Sequence, residues 1–449
     1  MGSGAARAAL PTANGECLIR AHRIARSRAY CGSHVLVLCG AEAGGGVRES
    51  CAVGVEVRAG QGELTVGVEE EFVLAHAVTR EVALAAPSVV EAADLLAGTG
   101  HVVGELAQAQ LETISAVCST TRQLRAEVTR LRRCAARAAQ EAGCLLVACG
   151  TAPLGDPGPP PVQDKPRSHT IAARFGPLLD QLCANSCHVH VGVPDREEAV
   201  QVVNHLRPWM PLLLSLTANS PYCRGRDTGH ASWRAILWGR WPTATPPPYL
   251  RSVDHYEQIV SALVNSGAAL DPGMLYWSVR PSRHVPTVEI RVADVQPGAA
   301  DTVAYALLVR ALVAAALADV RKGRPAPPVE ETVLRAATWR AARDGMSGQA
   351  LTAPLPGALR TVPAWYLATA LLRHVQGPLR AAGDFDAVRR WLSRLQRHGT
   401  GATRQRTVYR RTGRLEDVVD ALAVPATLPR GAEGDPKGRT ARADTVQPR

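Results

Sequence analysis

Thr287-Val-Glu-Ile-Arg-Val-Ala-Asp294 decides how this chain is read, because a second stretch far upstream, Val66-Gly-Val-Glu-Glu-Glu-Phe72, answers it. Each has the alternation of a β-strand. Period two puts Glu289 and Arg291 on one face of the later strand, with Val288, Ile290 and Val292 behind them. It puts Glu69 and Glu71 on one face of the earlier strand, with Val66, Val68 and Phe72 on the other. Glu70 has the opposite parity and reads as structural. Ionised carboxylates side by side on otherwise apolar strands repel one another unless a cation sits between them. A divalent metal is the simplest such cation.

Two further pieces extend the inventory. His188-Val-His-Val-Gly192 alternates in the same way, so both imidazoles face one side. Val102 to Ile114 adds Glu105 and Glu112. Their spacing suits one face of a helix; within one strand it would put them on opposite faces unless a bulge intervened, and the sequence leaves both open. The collected set is Glu69, Glu71, Glu105, Glu112, His188, His190, Glu289 and Arg291. An oxygen-rich set with imidazoles suits Mg²⁺ or Mn²⁺ better than a structural zinc.

These residues carry a resemblance. Gly67-Val-Glu-Glu-Glu-Phe72, Cys187-His-Val-His-Val-Gly192, Asn219-Ser-Pro221, Gly225-Arg-Asp-Thr-Gly229, Trp238-Gly-Arg-Trp-Pro242, Gly273-Met-Leu-Tyr-Trp-Ser-Val-Arg-Pro281 and Val288-Glu-Ile-Arg-Val-Ala-Asp294 follow one another in this order. Together they resemble the type 2 glutamate–cysteine ligases, a family of carboxylate–amine ligases similar in fold and site to glutamine synthetase. The resemblance runs from about Leu64 to about Leu422. It implies an ATP-dependent enzyme that joins a carboxylate to an amine through an acyl phosphate, with glutamate and cysteine as the default pair. It also implies a division of labour. Glu71, Glu105 and Glu112 match the set that holds one metal near the amino-acid substrate. Glu69, His188 and Glu289 match the set that holds another at the nucleotide phosphates. His190 matches a position that touches the phosphate chain, and Arg291 the phosphoryl-transfer arginine. One departure is visible: Ala184-Asn-Ser precedes Cys187 where members of the family usually carry a glycine and an apolar residue.

Other arginines are candidates on chemical grounds. Arg226 and Arg234 could fork onto a substrate carboxylate, and Arg280 and Arg283 could contact phosphates. The chain has neither the glycine-rich phosphate loop ending in Gly-Lys-Ser/Thr nor the Gly-x-Gly-x-x-Gly fingerprint, so nucleotide would have to bind on the sheet face. Rival classes are a ligase acting on a different amine, a guanidino phosphotransferase, and a non-enzymatic binder built on the same fold. Nothing in the sequence identifies a cysteine pocket.

Composition bounds the rest. The formal charge of +11 comes almost wholly from arginine, since Lys165, Lys322 and Lys437 are the only lysines; this reads as base-composition bias rather than a nucleic-acid surface. Eleven cysteines match no zinc or haem spacing and suit a reducing compartment. No unbroken run of eighteen apolar residues exists, so no membrane span is expected and a cytoplasmic protein follows; the resemblance implies small-molecule partners and no nucleic acid. Homo-oligomerisation is left open.

The expected architecture is α+β: a glutamine synthetase-like catalytic fold whose antiparallel sheet carries the site on one face, with helices packed around it. Residues 1–62 lack a sustained period and are expected to be an extension, 63–425 the catalytic domain, and 426–449 a tail. Ser119 opens a helix with the stripe Leu124, Val128 and Leu131. Pro153–Arg167 reads as a loop able to act as a lid, Asp195 as a helix cap, and Ser252 as another. Long helices are expected over Ala300–Arg321, Glu331–Arg343, Ala364–His374, Asp384–Arg397 and Gln405–Leu422.

Overall fold

A computed structural model describes residues 64–427 of the chain, except 156, 157, 160 and 180–183. The expectations for 1–62 and for the chain beyond Thr427 lie outside the described residues. Eleven strands are described: β1 (Val66–His76), β2 (His101–Gly104), β3 (Gln110–Ile114), β4 (Cys144–Val147), β5 (Ser186–Gly192), β6 (Tyr222–Cys223), β7 (Arg226–Asp227), β8 (Val279–Pro281), β9 (Thr287–Asp294), β10 (Gln349–Leu351) and β11 (Thr361–Pro363). Seven of them form one antiparallel sheet, in the order β2-β3-β1-β5-β9-β8 with β4 paired to the far half of β1. The fold is α+β, as expected.

The register sets the chemistry. Glu71 stands opposite Glu112, Glu69 opposite His188, His190 opposite Glu289, and Glu289 opposite Arg280. Residues directly opposite share a face, so the charged groups of five strands gather on one side. The other side is apolar. Val66, Val68, Val189, Val191, Val288 and Ile290 are buried there against the helices Arg196–Leu206, Met210–Thr217 and Ala299–Arg321. Phe72, Leu74 and Leu111 pack with the helices Ala86–Leu96 and Thr121–Glu141.

Glu70 lies on this apolar side and has a partner. Arg132 grips it from the helix Thr121–Glu141, with Nε at 2.8 Å and Nη2 at 2.6 Å from its two carboxylate oxygens. Thr302 donates a further hydrogen bond at 2.6 Å. That helix opens at Thr120, one residue after the expected Ser119, because Thr120 and Gln123 cap each other's backbone N–H groups.

The longer helices fall close to expectation, with two differences. The stretch expected to be one helix over Gln405–Leu422 is two, Gly401–Thr412 and Leu415–Leu422. Gly413 breaks it with a left-handed backbone at φ 68°, a conformation that glycine adopts without strain. The expected loop Pro153–Arg167 gives way to a helix at Pro166–Phe175. Before that helix the loop is tied to the turn between β2 and β3: Gln163 N–H donates to Leu106 and Gln108 N–H to Pro161. Asp195 and Ser252 cap their helices as expected. Pro208 lies in a single turn of 3₁₀ helix, Arg207–Trp209, that joins two α-helices, and Pro211 lies in the first turn of the second.

The helix Ala299–Arg321 is long and apolar enough to cross a membrane, although no unbroken apolar run exists, yet 72% of its most apolar stretch is buried inside the fold. Arg310 in its middle pairs with buried Asp384 at 2.6 Å. It is the central helix of the core. The six described cysteines assigned to a redox state are all free thiols.

Candidate active site

The carboxylates and imidazoles meet across β3, β1, β5 and β9. One ligand atom each from Glu69, His188 and Glu289 lies within 4.8 Å of the others, and the same holds for Glu71, Glu112 and His188. All five side chains are buried. His188 therefore stands between two acidic groups. Its Nδ1 is 3.1 Å from Glu69 Oε2, and its Nε2 is 2.8 Å from Ser186 Oγ and 3.8 Å from Glu71 Oε1. His190 turns Nδ1 to Thr287 Oγ1 at 3.0 Å and brings Nε2 to 3.3 Å from Glu69 and 3.9 Å from Glu289.

Glu105 and Glu112 reach the same face by neither route left open by their spacing. A turn separates them: Glu112 is in β3, and Glu105 follows the end of β2 with its N–H bonded to the Gln110 carbonyl at 3.3 Å. A hairpin thus joins what a single helix or strand would have had to hold. Glu105 is half-buried and belongs to neither close trio.

The electrostatics divide the site. Burial alone would raise the Glu69 and Glu289 carboxyls, but their neighbours hold both far below the usual range: His190 and the hydrogen bond from His188 for Glu69, the Arg280 and Arg291 charges for Glu289. The other side has no such help. Burial and the Glu71 charge push Glu105 up to about 7, and burial with Glu69, Glu105 and Glu71 pushes Glu112 well up. Burial and Arg291 lower His188; for His190 the burial penalty is outweighed by Glu69 and Glu289, so its pKa rises. A crowd of carboxylates that cannot all ionise alone is what a divalent cation relieves. The donor set fits one. Glu71, Glu112 and His188 offer oxygen and imidazole ligands beside the raised Glu105, and Glu69, His188 and Glu289 offer a second set.

The arginines have distinct places. Arg280 reaches Glu289 with Nε at 2.7 Å and gives Nη1 to the carbonyls of Gly273 and Leu275, at 3.0 and 2.6 Å. Arg291 donates Nη1 to the other oxygen of Glu289. Arg234 is buried, with its Nη atoms on the backbone carbonyls of Arg291 and Val292. Arg226 is exposed in β7 and lines an open pocket with Cys223, Arg224, Asp227, Thr228 and Trp233. Arg283 pairs with Glu257 at 3.4 Å on the surface, and no described contact links it to the acidic cluster.

Two site groups escaped the sequence reading. Ser186, in the segment noted for its departure from the family pattern, donates its N–H to Glu71 at 2.6 Å and meets His188 with its hydroxyl. Asp294 stands opposite Ser186, although strict alternation from Glu289 puts it on the back of β9. A register shift explains it: Arg291 and Val292 together oppose His188 alone, and this bulge reverses the parity beyond it. The shift left no signal in the hydrophobic pattern, because Val292 and Ala293 are both apolar.

Comparison with known proteins identifies the family of the chain. The model of glutamate–cysteine ligase family 2 matches residues 65–421. A Saccharopolyspora erythraea protein named "Putative glutamate--cysteine ligase 2-1" is 47% identical over 364 residues, covering 81% of this chain and 94% of its own length. A Salinispora arenicola protein named "Putative glutamate--cysteine ligase 2" is 46% identical over 363 residues, covering 80% of this chain and 94% of its own. The fold is similar to a Francisella tularensis glutamate–cysteine ligase solved in complex with AMP, with a TM-score of 0.62 at 13% identity over 80% of this chain and 87% of that one. The buried carboxylate face, the sheet that builds it and the sequence match over residues 65–421 converge: this chain is a ligase and belongs to glutamate–cysteine ligase family 2.

Proposed function

We propose that the enzyme uses ATP to join the side-chain carboxylate of glutamate to an amine, with L-cysteine the first candidate and γ-glutamylcysteine, ADP and phosphate the products. The observation that carries this reading is the sharing of His188 by two acidic trios, with Arg291 held among them on the same sheet face. The γ-phosphoryl group passes to a carboxylate oxygen and ADP leaves. The amine nitrogen then bonds to the carbonyl carbon as the carbon–oxygen bond to phosphate breaks, and the nitrogen gives up a proton.

Negative charge builds on the transferring phosphoryl oxygens and on two carboxylates, so catalysis is positioning plus cationic stabilisation. Mg²⁺ or Mn²⁺, held by Glu69, His188 and Glu289 and by Glu71, Glu105 and Glu112, would neutralise part of that charge. Arg291 supplies the planar guanidinium that faces the phosphoryl group, and Glu289 holds it there. His190, whose pKa Glu69 and Glu289 raise against the burial penalty, would add positive charge beside the phosphates when protonated. Arg280 steadies Glu289 from β8. Arg226, which lines the open pocket, would meet a substrate carboxylate there. Small molecules are the partners, in the cytoplasm.

The test is a phosphate-release screen of the purified protein with ATP, Mg²⁺, glutamate and a panel of amines. Release that requires both glutamate and one amine supports the reading. ADP, assayed alongside phosphate, that forms with a guanidino compound alone and without phosphate release favours a guanidino-type phosphotransfer instead, and neither ADP nor phosphate with any pair sinks both.

A further inference from the structure

Arg291 can face the phosphoryl group only if β9 presents it correctly, and β9 is irregular at that residue. The β5–β9 pairing places Cys187 opposite Ala293 and Val189 opposite Ile290, so two residues of β9, Arg291 and Val292, stand against His188 alone. A bulge leaves its extra residue's backbone outside the regular ladder, and its carbonyls need other partners. Here one side chain meets both. Arg234 donates Nη2 to the Arg291 carbonyl at 3.1 Å and Nη1 to the Val292 carbonyl at 3.3 Å. The same guanidinium lies 3.6 Å from Asp294 Oδ1, the residue that the bulge returns to the site face.

Arg234 is itself fixed. It sits in the first turn of the helix Trp233–Trp238, which Ser232 caps, and its guanidinium lies over the Trp238 ring at 5.9 Å. Asp294 ties the segment to the sheet from the other direction. It accepts from Asn219 N–H at 2.8 Å, Ser220 Oγ at 2.7 Å and Ser232 Oγ at 2.8 Å. The network is buried throughout, with Arg234 3% exposed and Asp294, Asn219, Ser220 and Ser232 fully enclosed.

We propose that Arg234 is a positioning residue: by bridging the two carbonyls of the β9 bulge it aims Arg291 at Glu289 and at the reaction centre. This rests on the ligase reading for its kinetic consequence, but not for its structural one. Lysine at this position could still pair with Asp294, whereas a single ammonium lacks the planar fork that spans two successive carbonyls.

Two measurements on the full-length Arg234→Lys protein decide it. In steady-state assays, kcat should fall about a hundredfold while KM for ATP and for the carboxylate changes by less than about threefold, the pattern of lost transition-state stabilisation. The double variant Arg234→Lys/Arg291→Lys should be no slower than Arg291→Lys alone, because residues acting as one unit are not additive. A merely structural role would multiply the two losses, and that result overturns the proposal. So does a rise of about tenfold or more in KM for the carboxylate with kcat retained, which would mean that Arg234 binds substrate directly. The second measurement is a crystal structure of the variant. The expected result is a β9 without its extra residue against His188 and an Arg291 side chain withdrawn from Glu289. An unchanged bulge overturns the proposal, even if the wild-type protein proves to ligate nothing. Should the lysine variant fail to fold, Asp294→Asn, which removes the charge that anchors Arg234, is read by the same two criteria.

Discussion

Glu289 shows why a single residue here has two consequences. It is 1% exposed and takes guanidinium hydrogen bonds from both Arg280 and Arg291. Read as one carboxylate ligand on a strand, it invites the expectation that Glu289→Gln silences turnover and leaves stability untouched. Its surroundings add a cost. Removing one partner of a buried ion pair leaves charge uncompensated, at about 3–5 kcal/mol. Glu289→Gln should therefore abolish turnover and also lower the melting temperature clearly, measured by calorimetry without added metal. Glu69→Gln, whose partners are imidazoles, should abolish turnover with a smaller loss. Equal melts for both variants and the wild type would contradict the Arg280–Glu289–Arg291 arrangement. Glu105 gives a pH signature. Its folded pKa of about 7 lies above its usual 4.5, so the folded state holds its proton more tightly than the unfolded chain does. The stability this contributes is fully present below pH 4.5 and is lost as pH rises through about 7. In metal-free protein, the wild type should lose stability relative to Glu105→Gln over that window. A difference that is flat or rises with pH would contradict the burial of Glu105 and its crowding by Glu71.

At the scale of elements, what the sequence made legible followed from alternation and capping. The strands carrying Glu69, Glu71, His188, His190, Glu289 and Arg291 have the parity that period two gives, since each buries aliphatics behind its charges. Glu70 was legible as structural for the same reason, although its partner was not: Arg132 lies on a helix sixty-two residues further on, and nothing local announces such a pair. The β2–β3 turn, the bulge in β9 and the break at Gly413 were not legible. Each depends on one or two residues whose backbone departs from the pattern while their side chains keep it. The Glu70–Arg132 pair offers a test of how far this back face supports the site. Arg132→Met should cost about 3–5 kcal/mol, because it strands a carboxylate under the sheet. A denaturant melt within about 1 kcal/mol of wild type would contradict the pair's enclosure.

Across the whole molecule, the sheet, its two packing faces and the family match cover the same residues. The match spans 65–421, β1 begins at Val66, and the last described helix ends at Leu422. Deleting Met1–Ala59 should therefore leave the melt and the kcat of the purified protein unchanged; an insoluble or inactive truncation would show that those residues belong to the catalytic unit. The fold class was legible because seven strand and loop motifs follow one another in one order. The amine was not, because its selection depends on shape around the site rather than on any ligand position. The central claim is that the acidic face activates a carboxylate by phosphorylation, and the fate of one oxygen atom tests it most directly. With the side-chain carboxylate of glutamate, or of whichever carboxylate supports turnover, labelled with ¹⁸O, the released phosphate is analysed by mass spectrometry. The account predicts that one labelled oxygen moves into each phosphate formed; phosphate released without label, at a turnover that still depends on the carboxylate and the amine, would contradict it.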